Sequence, residues 1–199
     1  MLLEVLFIMN QYLFLFPVKE YFEACLNACG TFEFRGHKPA ELIHIIDARY
    51  RNKGYKINWL LFSREDDLSK PDLRQVPDFL EIEEHDGILV AGVSFGEHTS
   101  KGKYADSDYV LDQLPIHRRL VVGGFHQWDC VNRVAERSHE RGIETFVDED
   151  TTELFFGRQL FSGIPLIRKK WSLRELGIPE KFYKFAKKRR EGKPWFVRA

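Results

Sequence analysis

The sequence predicts an α/β fold, a three-layer α/β/α sandwich built on a mainly parallel sheet. Three features predict it. Leu120–Gly124 (LVVGG), Cys130–Arg141 and Ile143–Val147 read as strand, helix and strand, and a crossover of that length joins parallel neighbours right-handedly. Ala40–Phe62 reads as a helix, a tight glycine turn and a second strand. The apolar run at the N-terminus, Leu2–Ile8 within MLLEVLFIMNQYLFLF, suits a strand covered on both faces. Repeated alternation of helices and strands is the signature of a doubly wound sheet.

The elements follow in order. Pro17 ends the first strand, and Val18–Cys29 reads as a helix stopped by Gly30. Pro39 sits where a helix can begin, and Leu42, Ile45, Ile46 and Arg49 keep its period. Gly54 stands where a left-handed cap would fall, and Ile57–Phe62 is a buried strand. Arg64–Asp86 is an acidic excursion with Pro71 and Pro77, in which Phe79–Glu83 reads as an edge strand. Ile88–Phe95 is a further strand weakened by Gly92, and Gly96–Ser107 reads as a loop. In Cys130–Arg141 the apolar positions Val131, Val134, Ala135 and Ser138 share one helical face, and Gly142 caps it.

Composition bounds the function. The 199 residues carry 30 basic and 30 acidic side chains, which argues against a protein that works by general attraction to nucleic acid or to anionic membrane. Three Cys exclude a disulfide-stapled scaffold and suit a reducing, cytoplasmic location. The N-terminal run lacks a basic flank, carries Glu4, and is interrupted by Asn10 and Gln11, so it reads as a strand rather than a signal peptide or a membrane span. The domain is expected to occupy residues 1–179. Residues 180–199, with eight Lys or Arg against two Glu, read as a basic C-terminal helix ending in the extended PWFVRA.

Chemistry points to Cys130. It follows strand Leu120–Gly124 across the bend FHQWD and opens a helix, at the sheet end where ligands gather in α/β folds. The dipole and free N–H groups of a helix start favour a thiolate and can hold an oxyanion. A small buried residue closing a strand–helix turn would look the same in sequence.

The segment Leu120–Thr151 resembles the C-terminal half of the isochorismatase-like cysteine hydrolases, a family of isochorismatases, nicotinamidases and carbamoyl amidohydrolases. Gly124, Cys130, Val131, Ala135, Gly142, Glu149 and Asp150 fall in step with the family pattern, and Val134 stands where that pattern has Thr. Leu42–Phe62 is similar to the family's helix–glycine–strand unit. LFIMNQYLF is similar to its opening strand, with Gln11 and Phe14 in register. The resemblance implies a thiol that attacks a carbonyl carbon, an Asp at the end of the first strand that carries the proton, and a Lys that supports the charged site. It also implies a cis peptide at Phe125–His126 and an oxyanion site made by the N–H groups of His126 and Cys130. Oligomeric assembly is implied as well.

The departures are as informative. The family's Asp falls on Met9, next to Asn10, and neither is a base. Its Lys falls on Ala91, with Lys101 and Lys103 the nearest replacements; Asp129 and Asp86 are the candidate substitute acids, though Asp129, beside the Cys, is expected rather to cap the helix. Met9, Asn10 and Trp128 are expected to line the pocket, and His126 offers a second base. No cofactor or metal is expected: SREDDLSK has no His for a zinc site, Cys25 and Cys29 lack further ligands, His44 and His139 look structural, and GVSFGEHTSKGK has no nucleotide-loop spacing. Two functions remain. One is a divergent cysteine hydrolase of a small amide or related carbonyl compound. The other is an inactive relative that binds a small molecule or assembles as a homo-oligomer. Neither reading involves nucleic acid or membrane.

Overall fold

β1 (Gln11–Leu15) runs through the middle of a five-stranded sheet in which all four pairings are parallel, in the order β3-β2-β1-β4-β5. The computed structural model describes residues 9–23, 39–152, 188 and 190–196. The remaining elements are α1 (Pro39–Arg49), β2 (Lys56–Ser63), β3 (Gly87–Ser94), α2 (Phe95–Lys101), α3 (Ser107–Asp112), β4 (Arg119–Gly124), α4 (Asn132–Glu140) and β5 (Glu144–Thr152). The expected parallel α/β sandwich is the architecture observed.

Alternation along the strands builds two cores. Tyr12 and Phe14 of β1, with Ile57, Trp59 and Leu61 of β2, face α1, where Leu42 and Ile46 meet them. Leu13, Leu15, Leu60 and Phe62 face the other way and pack with Val110, Val134 and Ala135 of α3 and α4. Each such side chain, fully buried, contributes about 1.5–3 kcal/mol. β1 is apolar on both faces because both faces are covered. Its one polar residue, Gln11, is satisfied by Asn58, whose Nδ2 donates to Gln11 Oε1 at 2.8 Å.

Several boundaries differ from the sequence reading. The central strand is Gln11–Leu15, and the expected strand Leu2–Ile8 lies outside the described residues. Of the helix expected at Val18–Cys29, residues 18–23 are described, and 19–23 are helical. Phe79–Glu83 forms no strand. The first half of the loop expected over Gly96–Ser107 belongs to α2, which Ser94 caps by accepting from the Glu97 N–H at 3.2 Å. The helix expected from Cys130 begins at Asn132, after a turn of π-helix over Gln127–Val131.

The C-terminal segment returns to the sheet. Trp195 and Phe196 join the core under α4, and the Val147 N–H at the outer edge of β5 donates to Trp195 O at 2.9 Å. The end of the expected basic tail is thus part of the domain's packing.

Gly124 closes β4 with φ 111°, and an added Cβ would run into the backbone of Leu15. Gly124→Ala is expected to lose at least about 2 kcal/mol of stability, from left-handed strain plus that collision. A urea midpoint unchanged from the parent chain would contradict this.

Candidate functional site

β1 and β4 carry the site to the C-terminal end of the sheet. They pair with Leu15 opposite Gly124, and the Phe125 N–H donates to Leu15 O at 3.1 Å, so the bend after β4 is tied to the end of β1. The Phe125–His126 peptide is cis, as the resemblance implies for this bend. The chain then enters the π-helical turn, in which the Asp129 and Val131 N–H groups donate to His126 O at 3.1 and 3.2 Å. This wide turn sets Cys130 against the ends of β1 and α3.

Cys130 is 6% exposed. It borders a small cavity lined by Leu15, Phe16, Tyr104, Ala105, Ser107, Arg133 and Val134, with room for about one water molecule. Burial, and then the Asp129 carboxylate, push the thiol up to about 12. Backbone hydrogen bonds from His126 and Cys130 and the charge of Arg133 act in the opposite direction and are outweighed.

The ionic partners near the sulfur differ from those expected. Asp129 pairs with Arg133 at 2.7 Å, one turn along, instead of capping the helix. The Arg133 guanidinium lies 4.2 Å from the centre of the Tyr104 ring, and the neighbouring Asp129 carboxylate, with burial, raises the Tyr104 phenol. Lys101 and Lys103 point into solvent at the end of α2, and both pair with Glu97, at 3.8 Å for Lys101. They are absent from the lining of the thiol cavity. Its one cation is Arg133.

Met9 and Asn10 are also displaced from the expected pocket. They precede β1 at the N-terminal end of the sheet, and Met9 is 42% exposed. Five strand residues separate them from the thiol end, about 17 Å of chain. The residues that β1 brings to the sulfur are Leu15 and Phe16. Asp86 lies before β3, at the same far end, where its Oδ2 accepts from Arg51 Nη2 and Trp59 Nε1, each at 2.8 Å. Parallel pairing therefore removes it from the thiol.

His126 is half-buried, with its ring 4.9 Å from that of Tyr21. The side chain of Trp128, and Cys25 and Cys29 with their spacing, lie outside the described residues. His44 is exposed on α1, and His139 packs its ring 5.4 Å from that of Trp195. Among the described residues no group of three or more His, Cys, Asp or Glu is placed to hold a metal ion, and no helix is long and apolar enough to cross a membrane. The sequence reading missed Arg133 and Phe16. Arg133 had a readable signal, since Asp129 and Arg133 stand at i and i+4. Phe16 had none.

No family model and no curated protein matches the sequence. Among solved structures the chain is similar to an isochorismatase from Pseudomonas putida KT2440, at 16% identity and a TM-score of 0.43, over 72% of this chain and 70% of that one. It is similar to a pyrazinamidase of Pyrococcus horikoshii at 12% identity and a TM-score of 0.46, over 72% of this chain and 86% of that one. An isochorismatase-like hydrolase from Alkaliphilus metalliredigens matches at 11% identity and a TM-score of 0.38, over 73% of this chain and 80% of that one.

Proposed function

We propose that the chain is a divergent, non-catalytic relative of the isochorismatase-like cysteine hydrolases, and that it serves in the cytoplasm as a small-molecule-binding or assembly protein. One observation carries this reading. Where the resemblance implies a proton-accepting Asp at the end of the first strand, β1 brings Leu15 and Phe16 to the sulfur. Without that acid, and with no Lys at the cavity, burial sets the thiol's protonation. With its pKa pushed up to about 12, the thiol is held in its protonated form at neutral pH. Parts of a nucleophile–base pair act as a unit, so losing the base costs orders of magnitude in rate. Asp129 does not replace it: its carboxylate is paired with Arg133 and disfavours the thiolate.

A cysteine hydrolase of small amides is the second reading, favoured by the cis Phe125–His126 peptide in the bend before Cys130, which the resemblance implies for a working site. Iodoacetamide alkylation followed at Cys130 by peptide mass spectrometry separates the two. The non-catalytic reading expects a rate below that of free cysteine at neutral pH and no inflection below about pH 9. A profile that turns over between about pH 5 and 8, with a rate above that of free cysteine, would establish an activated nucleophile instead. Assembly as a dimer or larger oligomer belongs to the same proposal, and a monomeric mass by light scattering at micromolar concentration would remove it.

A further inference from the structure

We propose that residues 102–106 form a cover over the Cys130 cavity, held shut by a latch of Tyr104, Asp129 and Arg133, and that opening this cover is what admits a reagent or ligand to the sulfur. The inference concerns the site of the preceding reading, but it rests on the cover's contacts and not on the thiol's protonation.

The segment joins α2 to α3 and is anchored at both ends. The Gly102 N–H closes α2 onto Glu97 O, and the Asp106 carboxylate caps α3 by accepting from the N–H groups of Asp108 and Tyr109 at 2.8 and 3.1 Å. Behind it, Asp108 links α3 to α4, accepting from Arg137 Nε at 2.7 Å and from Arg141 Nε at 2.9 Å. Tyr104 and Ala105 from this stretch, with Ser107 beside them, form one wall of the cavity.

Ala105 of this wall packs against the core, and Tyr104 fastens the wall to the charges of α4. Tyr104 sits under the Arg133 guanidinium at 4.2 Å, and Arg133 Nε donates to Asp129 at 2.7 Å, which holds the guanidinium over the ring. Asp129 and Arg133 flank Cys130 on the same turn, so the groups that hold the cover are the sulfur's own neighbours. Tyr104 is 42% exposed, and half of the Arg133 side chain is in solvent. A cation–π contact and an i,i+4 ion pair at such exposure are each weak, so the latch opens far more readily than the domain unfolds. His98, whose ring meets the edge of Tyr104 at 5.3 Å, steadies the outer side without touching α4's charges.

The test measures alkylation of Cys130 by iodoacetamide in the full chain, at one fixed pH, with urea unfolding run in parallel. Tyr104→Ala and Arg133→Ala are expected to raise the rate about tenfold with urea midpoints near that of the parent chain. Tyr104→Phe keeps the ring under the guanidinium and is expected to stay within about threefold of the parent. Removing Arg133 also removes a charge that favours the thiolate, so a purely electrostatic effect would slow alkylation; acceleration identifies opening. Unchanged or slower rates in both alanine variants, or rates that rise only in step with lost global stability, would overturn the latch. The pH inflection of the parent chain tests the non-catalytic reading separately, and Tyr104→Ala, which removes no charged side chain beside the sulfur, reads opening apart from it.

Discussion

Replacing Trp195 by alanine is expected to lower the stability of the domain by about 3–5 kcal/mol, a large share of the roughly 5–15 kcal/mol that holds a domain of this kind together. The indole is 4% exposed and lies in the same core as Leu13, Val122 and Val134. Its Nε1 donates to Asn132 Oδ1 at 3.2 Å, and its ring faces His139. The backbone contributes too, because Trp195 O accepts the edge N–H of Val147. Truncation leaves a cavity under α4 and an unanswered amide oxygen on the buried Asn132. Trp195→Phe keeps most of the packing and loses the hydrogen bond, so about 1 kcal/mol is expected from it. Urea unfolding followed by circular dichroism checks both. An alanine variant within 1 kcal/mol of the parent would mean that this segment is not part of the core.

Alkali is expected to destabilise the fold, and Cys130 to dominate the first part of the loss. In the unfolded chain the thiol titrates near its ordinary value of about 8.5, whereas in the folded domain burial and Asp129 hold its proton up to about 12. The folded state therefore binds the proton more tightly. The thiol's contribution is fully present below about pH 8.5 and is lost as pH rises towards the folded value, at up to about 1.4 kcal/mol per pH unit and about 5 kcal/mol in all. Tyr12 and Tyr50 act in the same sense above about pH 10. Burial, and then Asp148, raise both phenols, and the Tyr50 hydroxyl donates to Asp148 at 2.5 Å. Between pH 9 and 10, before the tyrosines titrate, Cys130→Ala should flatten the decline by one proton's worth. Parallel pH profiles for parent and variant would show that the sulfur ionises as easily in the fold as outside it.

The sequence by itself determined the elements whose signal is local. The β4–bend–α4–β5 unit was legible because its strands are short apolar runs and because Val131, Val134, Ala135 and Ser138 repeat at helical spacing; all four are buried. The helix–turn–strand from α1 to β2 was legible for the same reason, with Gly54 in the left-handed conformation at its cap. These are properties of a dozen residues or fewer, and any fold that uses them must respect them.

Only the tertiary structure decided what surrounds the sulfur. A strand buried on both faces has no alternation to set its register, so counting along the apolar N-terminus places the expected acid on Met9, while pairing of Leu15 with Gly124 delivers Phe16. Lys101 and Lys103 looked available in sequence because nothing there shows that both turn to Glu97. The aromatic pair Trp195–Phe196 was hidden in a basic segment, and its partner Asn132 lies 63 residues away. The helical period of α4 is written into adjacent residues. A thiol's protonation depends on burial and on charges brought from distant parts of the chain, and those distances exist only once the sheet has closed.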